Sequence, residues 1–584
     1  MNKRELKHVT HRKKTSNSKD VTFLKERITL EDGTVIPNLK IIEDYKRPFY
    51  ITKPIYRNHK QVKEAESIDK LDKYYSTESD MPHAIFKALK KPKFGRANMR
   101  DVKVSSDHMY VYGADVDPST ILSLEYKDKS DIITPSKVGF LDIENHPYRK
   151  ILSVVTFVHR DEEKVFVYTW INKMEANVYA PEVAVPNLLK QHLPKELPDE
   201  FVFDNIKFNI TMHENERELL LSMFKLIHSI DIDILSGWNF LYDIKEIRDA
   251  CVRNGLNPHH MFSHPSVPDE HRFLTILEAP ATKTKENGDT VSVPIEERWN
   301  KFHCPAMFKI VDAMSSYKYI RLQQAKLKGG YSLDNVMNSI GLFGKLNIVE
   351  LPIMSKLDWH IEMLEKHTMA YIAYNVWDSL GLLYKDMIDK DLQIKLPLLS
   401  GISSFDKFNS VPNRIYDDFY KFYLEDDMII ANKLVLKPEL ESLGRDDWTV
   451  TVNLWKLDNT SFEPMIQDDY VLEAPKDCGS NLDRLIKSGY IDYNIMNPGR
   501  VSTDNMELDL SAAYPSVASY INASADTVKR EIYKIENIHK ETFREANINL
   551  ITGIVADNQY CIDMFNLPDL YEIESQMQEE MTNI

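Results

Sequence analysis

The sequence predicts a multidomain α/β protein. The chain has 584 residues, which is too many for one hydrophobic core and indicates two to four domains. Its hydrophobic content of 43% and its charged content of 28% are typical of globular proteins. Three β patterns begin at residue 138 and are followed by alternating helix and strand patterns. We therefore expect helices and strands to share a domain.

The three β patterns cover Val138–Ile143, Ile151–Val158 and Val165–Trp170. The turn residues between them predict an antiparallel meander. Helices are predicted over Glu216–Ile230 and Ile244–Asn254, with a short apolar strand, Ile232–Leu235, between them. A meander followed by alternating helices and strands favours a ribonuclease H-like nuclease fold.

Further elements are predicted on both sides of this region. Before it, we expect a helix near Pro82–Leu89 and strands around Met109–Tyr112. After it, the predicted elements are helices over Trp359–Lys390, Arg414–Leu436 and Asn481–Ser488, and a strand–turn–helix unit over Met506–Ile521.

Composition excludes several classes of protein. Apolar runs such as Ile151–Val158 are far shorter than the roughly 20 residues of a membrane-spanning helix. The first twenty residues lack the apolar core of a secretory signal. Because no two cysteines form a CxxC pair, we expect reduced thiols in a cytoplasmic protein and no structural zinc. These cysteines are Cys251, Cys304, Cys478 and Cys561.

The net charge of −16 argues mildly against nucleic-acid binding as a bulk property, but the local distribution of charge matters more. Seven basic residues lie between Lys87 and Lys103, with Phe94 among them. Contact with phosphate is one interpretation of this cluster. A solvated basic face is the other.

Two carboxylates, Asp142 and Glu144, lie on the first predicted strand. Alternate side chains of a strand share a face, so these two point the same way, while Leu141 and Ile143 point into the core. Paired carboxylates on one face are costly unless a cation neutralises them. Taken alone, the pattern also fits a solvated strand edge.

Two further motifs contain carboxylates. Asp243 follows Asn239 at a strand–helix junction, where an aspartate is often only a helix N-cap. Tyr374 and Asp378 are spaced i, i+4 in a predicted helix, which puts the hydroxyl and the carboxylate on one face.

In this order, Asp-x-Glu, Asn-x3-Asp and Tyr-x3-Asp resemble the DEDD exonucleases that carry a tyrosine in the third motif. The resemblance implies two Mg²⁺ ions, with Mn²⁺ as an alternative, held by Asp142, Glu144, Asp243 and Asp378. Two metal ions about 3.5–4 Å apart polarise the attacking water and stabilise the leaving 3′ oxygen. Tyr374 would orient that water.

The segment from Glu507 to Ser516 resembles the first palm motif of family B DNA polymerases. The resemblance implies that Asp509 binds metal and that Leu510 offers its carbonyl to metal. The backbone amides of Ala512 and Ala513 would meet the incoming triphosphate, and Tyr514 would stack under the sugar. Ala512 and Ala513 depart from the usual Ser and Leu of the motif.

Similarity is greatest to the family B replicative polymerases of tailed bacteriophages, and it covers roughly residues 30–540. The motifs that carry it include Tyr331–Asp334, Gly237–Asn239 and Tyr371–Asp378. Asn239 precedes Asp243 by four residues, whereas these polymerases usually have five, which weakens the metal role of Asp243. The implied domains are an N-terminal domain over 1–130, the exonuclease over 131–395, a helical connection over 396–475 and a partial palm over 476–584.

Only 68 residues follow Ser516, and they contain no second palm aspartate and no fingers helix. We therefore expect the N-terminal subunit of a split polymerase, whose DNA synthesis needs a second polypeptide with fingers, remaining palm and thumb. Its partners would be primer–template and single-stranded DNA, deoxynucleoside triphosphates, that second subunit and a sliding clamp, with no membrane. Alternatives are a truncated derivative, a free-standing exonuclease with a vestigial palm, or a non-catalytic assembly subunit.

Overall fold

A computed structural model describes residues 3–14, 19–58, 63, 65–89, 110–127, 134–194, 197, 201–284, 290–322, 324 and 327–432. The palm-like segment therefore lies outside the described residues, with Asp509, Leu510, Ala512, Ala513 and Tyr514. So do the helix predicted over residues 481–488 and all of the basic cluster except Lys87.

The chain divides into two compact units. The first contains the described residues within 1–51, 72–96 and 113–429, and the second contains the described residues within 52–71, 97–112 and 430–432. Everything described below about the central sheet and the site belongs to the first unit. Among the described residues, no helix is both long and apolar enough to span a bilayer.

The strands are β1 Lys3–Arg12, β2 Val21–Thr29, β3 Val35–Glu43, β4 Arg47–Thr52, β5 Ala65–Ser67, β6 Leu71–Ser76, β7 Val111–Tyr112, β8 Val138–Asn145, β9 Leu152–Asp161, β10 Lys164–Asn172, β11 Ile206–His213, β12 Ile234–Gly237, β13 Thr275–Leu277, β14 Thr282–Thr284, β15 Thr290–Ser292, β16 Lys301–His303, β17 Lys309–Asp312 and β18 Met428–Ile430. The helices are α1 Met81–Ala88, α2 Pro118–Lys127, α3 Pro181–His192, α4 Glu216–Ser229, α5 Leu241–Arg253, α6 Pro258–Met261, α7 Ala313–Ile320, α8 Leu333–Ser339, α9 Lys356–Lys366, α10 Thr368–Asp389, α11 Leu396–Ser400 and α12 Val411–Glu425.

A mixed six-stranded sheet forms the centre of the first unit, in the order β11-β10-β9-β8-β12-β17. Strands β8, β9 and β10 are antiparallel neighbours, which confirms the predicted meander. Strand β12 runs parallel to both β8 and β17. Because parallel strands need a crossover connection, helices are expected on the faces of this sheet. The combination of helices and strands in one unit confirms the α/β class.

Helices cover both faces of the sheet. On one face, α10 packs against β8 and β9, and its apolar residues share a core with Phe140. On the other face, α4 and α5 bury their apolar stripes in a second core with Leu141 and Ile143. The alternation predicted for β8 is therefore confirmed. Asp142 and Glu144 lie on the α10 face.

An antiparallel three-stranded sheet, β1-β2-β3, precedes the central sheet in the sequence. Ion pairs of buried basic side chains connect the two sheets. Lys25 of β2, which is fully buried, forms an ion pair with Asp231. Arg27 Nη2 lies 2.6 Å from Asp233 Oδ2, just before β12. Buried pairs of this kind strongly penalise the loss of one partner.

Two predicted helices differ from the structure, one by an interruption and one by an earlier end. The helix predicted over Trp359–Lys390 is two helices, because His367 leaves the helical conformation and Thr368 Oγ1 caps the last turn of α9 through the Leu364 carbonyl (2.7 Å). The helix predicted over Arg414–Leu436 stops at Glu425, and β18 follows it. Asp427 has a φ of 56°, a left-handed conformation that interrupts a right-handed helix and that aspartate tolerates better than most residues.

Candidate active site

Strand β8 presents its two carboxylates to helix α10. The Oδ2 atom of Asp142 accepts a hydrogen bond of 2.6 Å from the Asn375 side-chain amide. The Oε2 atom of Glu144 accepts one from the Tyr371 hydroxyl, and His360 Nδ1 lies 3.4 Å from the same oxygen. Each carboxylate is therefore held through one oxygen by a donor from α10.

Helix α10 contributes one polar face to the site. Tyr371, Tyr374, Asn375 and Asp378 are spaced three, four and seven residues apart, so they line the same side of the helix. All four are buried. This confirms the predicted alignment of Tyr374 with Asp378, and it places both beside the two carboxylates of β8.

Asp378 is a buried carboxylate whose pKa is raised. Burial raises its pKa to about 6, and Glu144 adds to this, while Lys345 and the Tyr374 hydroxyl act in the opposite direction. Its Oδ1 atom is buried without a hydrogen-bond partner among the described residues. A buried carboxylate oxygen left in this way is costly unless a cation or a donor meets it.

Asp243 enters the site from a tight turn between β12 and α5. Asn239 adopts a φ of 56° there. Gly237 allows its backbone to approach that of β8 closely, because a Cβ on it would lie 2.7 Å from the Leu141 carbonyl oxygen. Asp243 itself lies in the first turn of α5, not at the N-cap position, so the interpretation of this residue as a simple cap is wrong.

Asp312 supports that turn from the end of β17. Its Oδ2 accepts the Phe240 N–H at 2.7 Å, and its Oδ1 caps α7 through the N–H of Met314 at 2.9 Å. Burial raises its pKa to about 6, although these N–H groups act against the shift. The repulsion from Asp312 in turn contributes to the raised pKa of Asp243.

Lys345 is a cation whose charge acts on two of the carboxylates. Its ammonium donates to the Tyr374 hydroxyl and lies 5.1 Å from the centroid of that ring. Its positive charge acts against the rise in the pKa of both Asp142 and Asp378. The loop that carries Lys345 is fixed by its own N–H to Asp334 Oδ1 (2.7 Å) and by the Trp377 indole N–H to the Gly344 carbonyl (2.7 Å).

The carboxylates repel one another across the site. Burial is the largest cause of the strongly raised pKa of Asp142, followed by Asp243, Glu144 and Asp378. Burial is also the largest cause for Asp243, whose pKa is raised by Glu144 as well. These mutual effects place the four carboxylates within electrostatic reach of one another. The pKa of Tyr374 is also raised, first by burial and then by the charges of Asp378, Glu144 and Asp142.

This donor set suits a hard divalent cation, because carboxylate oxygens are the ligands that Mg²⁺ and Mn²⁺ prefer. The free Asp378 Oδ1 is one oxygen available to such an ion. Within the part of the chain that the structure describes, however, no group of three or more acidic, histidine or cysteine side chains is arranged so that it could hold a metal ion. Asp142 and Glu144 bond Asn375 and Tyr371 instead.

Comparison with models of known protein families found no match, and a search among curated proteins found no similar chain. The family resemblance stays a prediction from the motifs.

The structure thus brings together Asp142, Glu144, Asp243, Tyr374 and Asp378. The carboxylate motifs did not indicate a role for the residues that surround them, which are Lys345, Tyr371, Asn375, His360 and Asp312. Tyr371 and Asn375 carried a signal, since they share the helical face of Tyr374 and Asp378. Lys345 carried no such signal in the sequence, because its position in the site depends on how its loop packs against α10.

Proposed function

We propose that this chain is a 3′→5′ DNA exonuclease that uses two divalent cations and has a ribonuclease H-like nuclease domain. One observation carries the proposal. Four carboxylates from β8, α5 and α10 converge beside a tyrosine, and three of them have raised pKa values because they are buried together. Such a cluster favours a bound cation. The antiparallel meander continued by parallel strands supports the fold assignment.

Asp142, Glu144, Asp243 and Asp378 would hold the ions. Bound divalent ions supply the charge that activates a water and stabilises the leaving 3′ oxygen of a phosphodiester. Tyr374 orients the attacking water through its hydroxyl. Lys345 fixes that hydroxyl by donating to it, and its positive charge favours ionised Asp378.

The wider role in replication rests on the sequence motifs alone. In that proposal, the nuclease proofreads for a family B polymerase, and Asp509 belongs to a synthesis site completed by a second polypeptide. Asp509→Ala should then abolish primer extension by the assembled polymerase and leave the exonuclease rate unchanged. Loss of the nuclease in this variant would argue against two separate sites.

The nuclease proposal is tested by the double variant Asp142→Ala/Glu144→Ala. We expect the rate of shortening of 5′-labelled single-stranded DNA in Mg²⁺ to fall by several orders of magnitude, because ligands of both ions are lost. The fold should survive, because two repelling charges are removed. The matched control is Asp161→Ala/Glu163→Ala, two acidic residues of the same spacing at the β9–β10 turn. A double variant of β8 that digests DNA as fast as the parent would overturn the proposal.

A further inference from the structure

Two side chains that the carboxylate motifs do not include make direct contact with the proposed ligands. Asn375 donates to Asp142 Oδ2 at 2.6 Å, and Tyr371 donates to Glu144 Oε2. Both donors come from α10, and both acceptors are on β8. The contacts join elements more than two hundred residues apart in sequence, with separations of 233 and 227 residues. Neither contact is therefore a local helix or strand interaction.

The orientation of the Asn375 amide is fixed by chemistry. An ionised Asp142 can only accept hydrogen bonds, so the NH₂ group of Asn375 points to it and the amide oxygen points away. The amide oxygen is then left buried without a partner among the described residues, and the side chain is 0% exposed. A polar side chain held in this way costs stability. The bond to Asp142 is the one interaction of this side chain that the structure describes.

Tyr371 is held in a similar way. Its hydroxyl contacts both Glu144 and the His360 ring, whose Nδ1 atom lies 2.7 Å from the hydroxyl oxygen. The Tyr371 ring packs edge-on against Trp359, with centroids 6.1 Å apart. The side chain is therefore fixed by packing as well as by hydrogen bonds, and its hydroxyl has little freedom to turn away.

We propose that Asn375 and Tyr371 are positioning residues that fix Asp142 and Glu144 for metal binding. Each ties one carboxylate oxygen and leaves the other for an ion. Side chains that hydrogen-bond metal ligands orient them, and their loss typically lowers metal affinity or activity about 10- to 100-fold. This inference rests on the proposed function, since it assigns the two residues to the metal ions of the nuclease.

The test uses Asn375→Leu and Tyr371→Phe in the full chain, with Mn²⁺ alone as the probe. Both substitutions remove the donor and keep most of the side-chain volume. We expect the Mn²⁺ dissociation constant, measured from the electron paramagnetic resonance signal of free Mn²⁺, to rise about 10- to 100-fold. The Mg²⁺ concentration for half-maximal cleavage should rise similarly, while kcat at saturating Mg²⁺ recovers to within a few-fold of the parent.

Two controls separate positioning from general damage. Asn254→Leu removes an amide-to-carboxylate bond to Glu216 elsewhere in the same unit. Tyr384→Phe removes a buried hydroxyl from the same helix α10. Both should bind Mn²⁺ as the parent does. A loss of kcat that saturating Mg²⁺ does not restore would indicate a purely structural role and would overturn the inference.

The remaining outcomes are distinguishable. If the parent cleaves DNA and both variants bind Mn²⁺ with unchanged or higher affinity, the inference fails and the nuclease proposal stands. Higher affinity would show that Asn375 and Tyr371 withhold the carboxylates from the ion. If the parent neither cleaves DNA nor binds Mn²⁺, the proposed function fails. Because the two variants are independent, one that does not fold leaves the other to decide.

Discussion

Asp378→Asn tests whether the negative charge of Asp378 destabilises the folded protein when no metal ion is bound. Burial and neighbouring carboxylates raise the pKa of Asp378 from 3.8 to about 6. The folded protein therefore binds this proton more tightly than the unfolded chain does. The resulting stability is fully present below about pH 4 and is lost as the pH rises through about 6.

The expected magnitude follows from the same values. A rise of the pKa from 3.8 to about 6 corresponds to about 3 kcal/mol, at roughly 1.4 kcal/mol for each pKa unit. Asparagine has nearly the same shape without the charge. At pH 7.5 in chelator, the variant should therefore have a free energy of unfolding up to about 3 kcal/mol above that of the parent. About 3 kcal/mol is an upper value, because Lys345 loses an anionic neighbour.

Urea unfolding at pH 4, 6 and 7.5 in chelator measures this difference, which should disappear at pH 4. In saturating Mg²⁺ at pH 7.5 the order should reverse, because an ion that binds only the folded parent stabilises it. Asp161→Asn, whose parent side chain is 60% exposed, is the control and should behave as the parent does. An Asp378→Asn variant that is no more stable than the parent at pH 7.5 in chelator would refute this reasoning.

Three other predictions concern the same unit. Tyr374→Phe should slow single-turnover cleavage about ten- to a thousandfold, less than Asp378→Ala does. If both variants lose cleavage completely and Tyr374→Phe also loses Mn²⁺ binding, Tyr374 has a structural role instead. Gly237→Ala should lower the urea midpoint by an amount equivalent to about 1–3 kcal/mol, because the new Cβ would lie 2.7 Å from the Leu141 carbonyl oxygen. An unchanged midpoint would show that the turn relaxes freely. Lys25→Met should destabilise the fold by about 3–5 kcal/mol, since the two aspartates that it faces lose a buried cation. A midpoint within error of the parent would contradict the assigned role of that ion pair.

Local periodicity was sufficient to predict the elements that carry the carboxylates. The alternation of β8 placed Asp142 and Glu144 opposite Leu141 and Ile143, as observed in the two cores. The i, i+4 spacing likewise placed Tyr374 and Asp378 on one face of α10. These patterns depend only on the geometry of a strand and a helix.

Features that depend on tertiary packing could not be predicted in this way. Lys345 reaches the site because Asp334 and Trp377 fix its loop, and no spacing in the sequence encodes that contact. The break at His367 is a second example, since the helical pattern continues through it. Asp312 is a third, because it acts on a turn that lies seventy-two residues earlier in the chain.

The long separation between β8 and α10 also has a consequence for folding during synthesis. Asn375 and Asp142 are 233 residues apart, so their contact is strongly non-local and closes a long loop late. A nascent chain could complete the β8–β9–β10 meander while α10 is still unsynthesised. The proposed nuclease would then stay inactive on the ribosome, and cleavage of nucleic acid would begin only after α10 docks on the sheet.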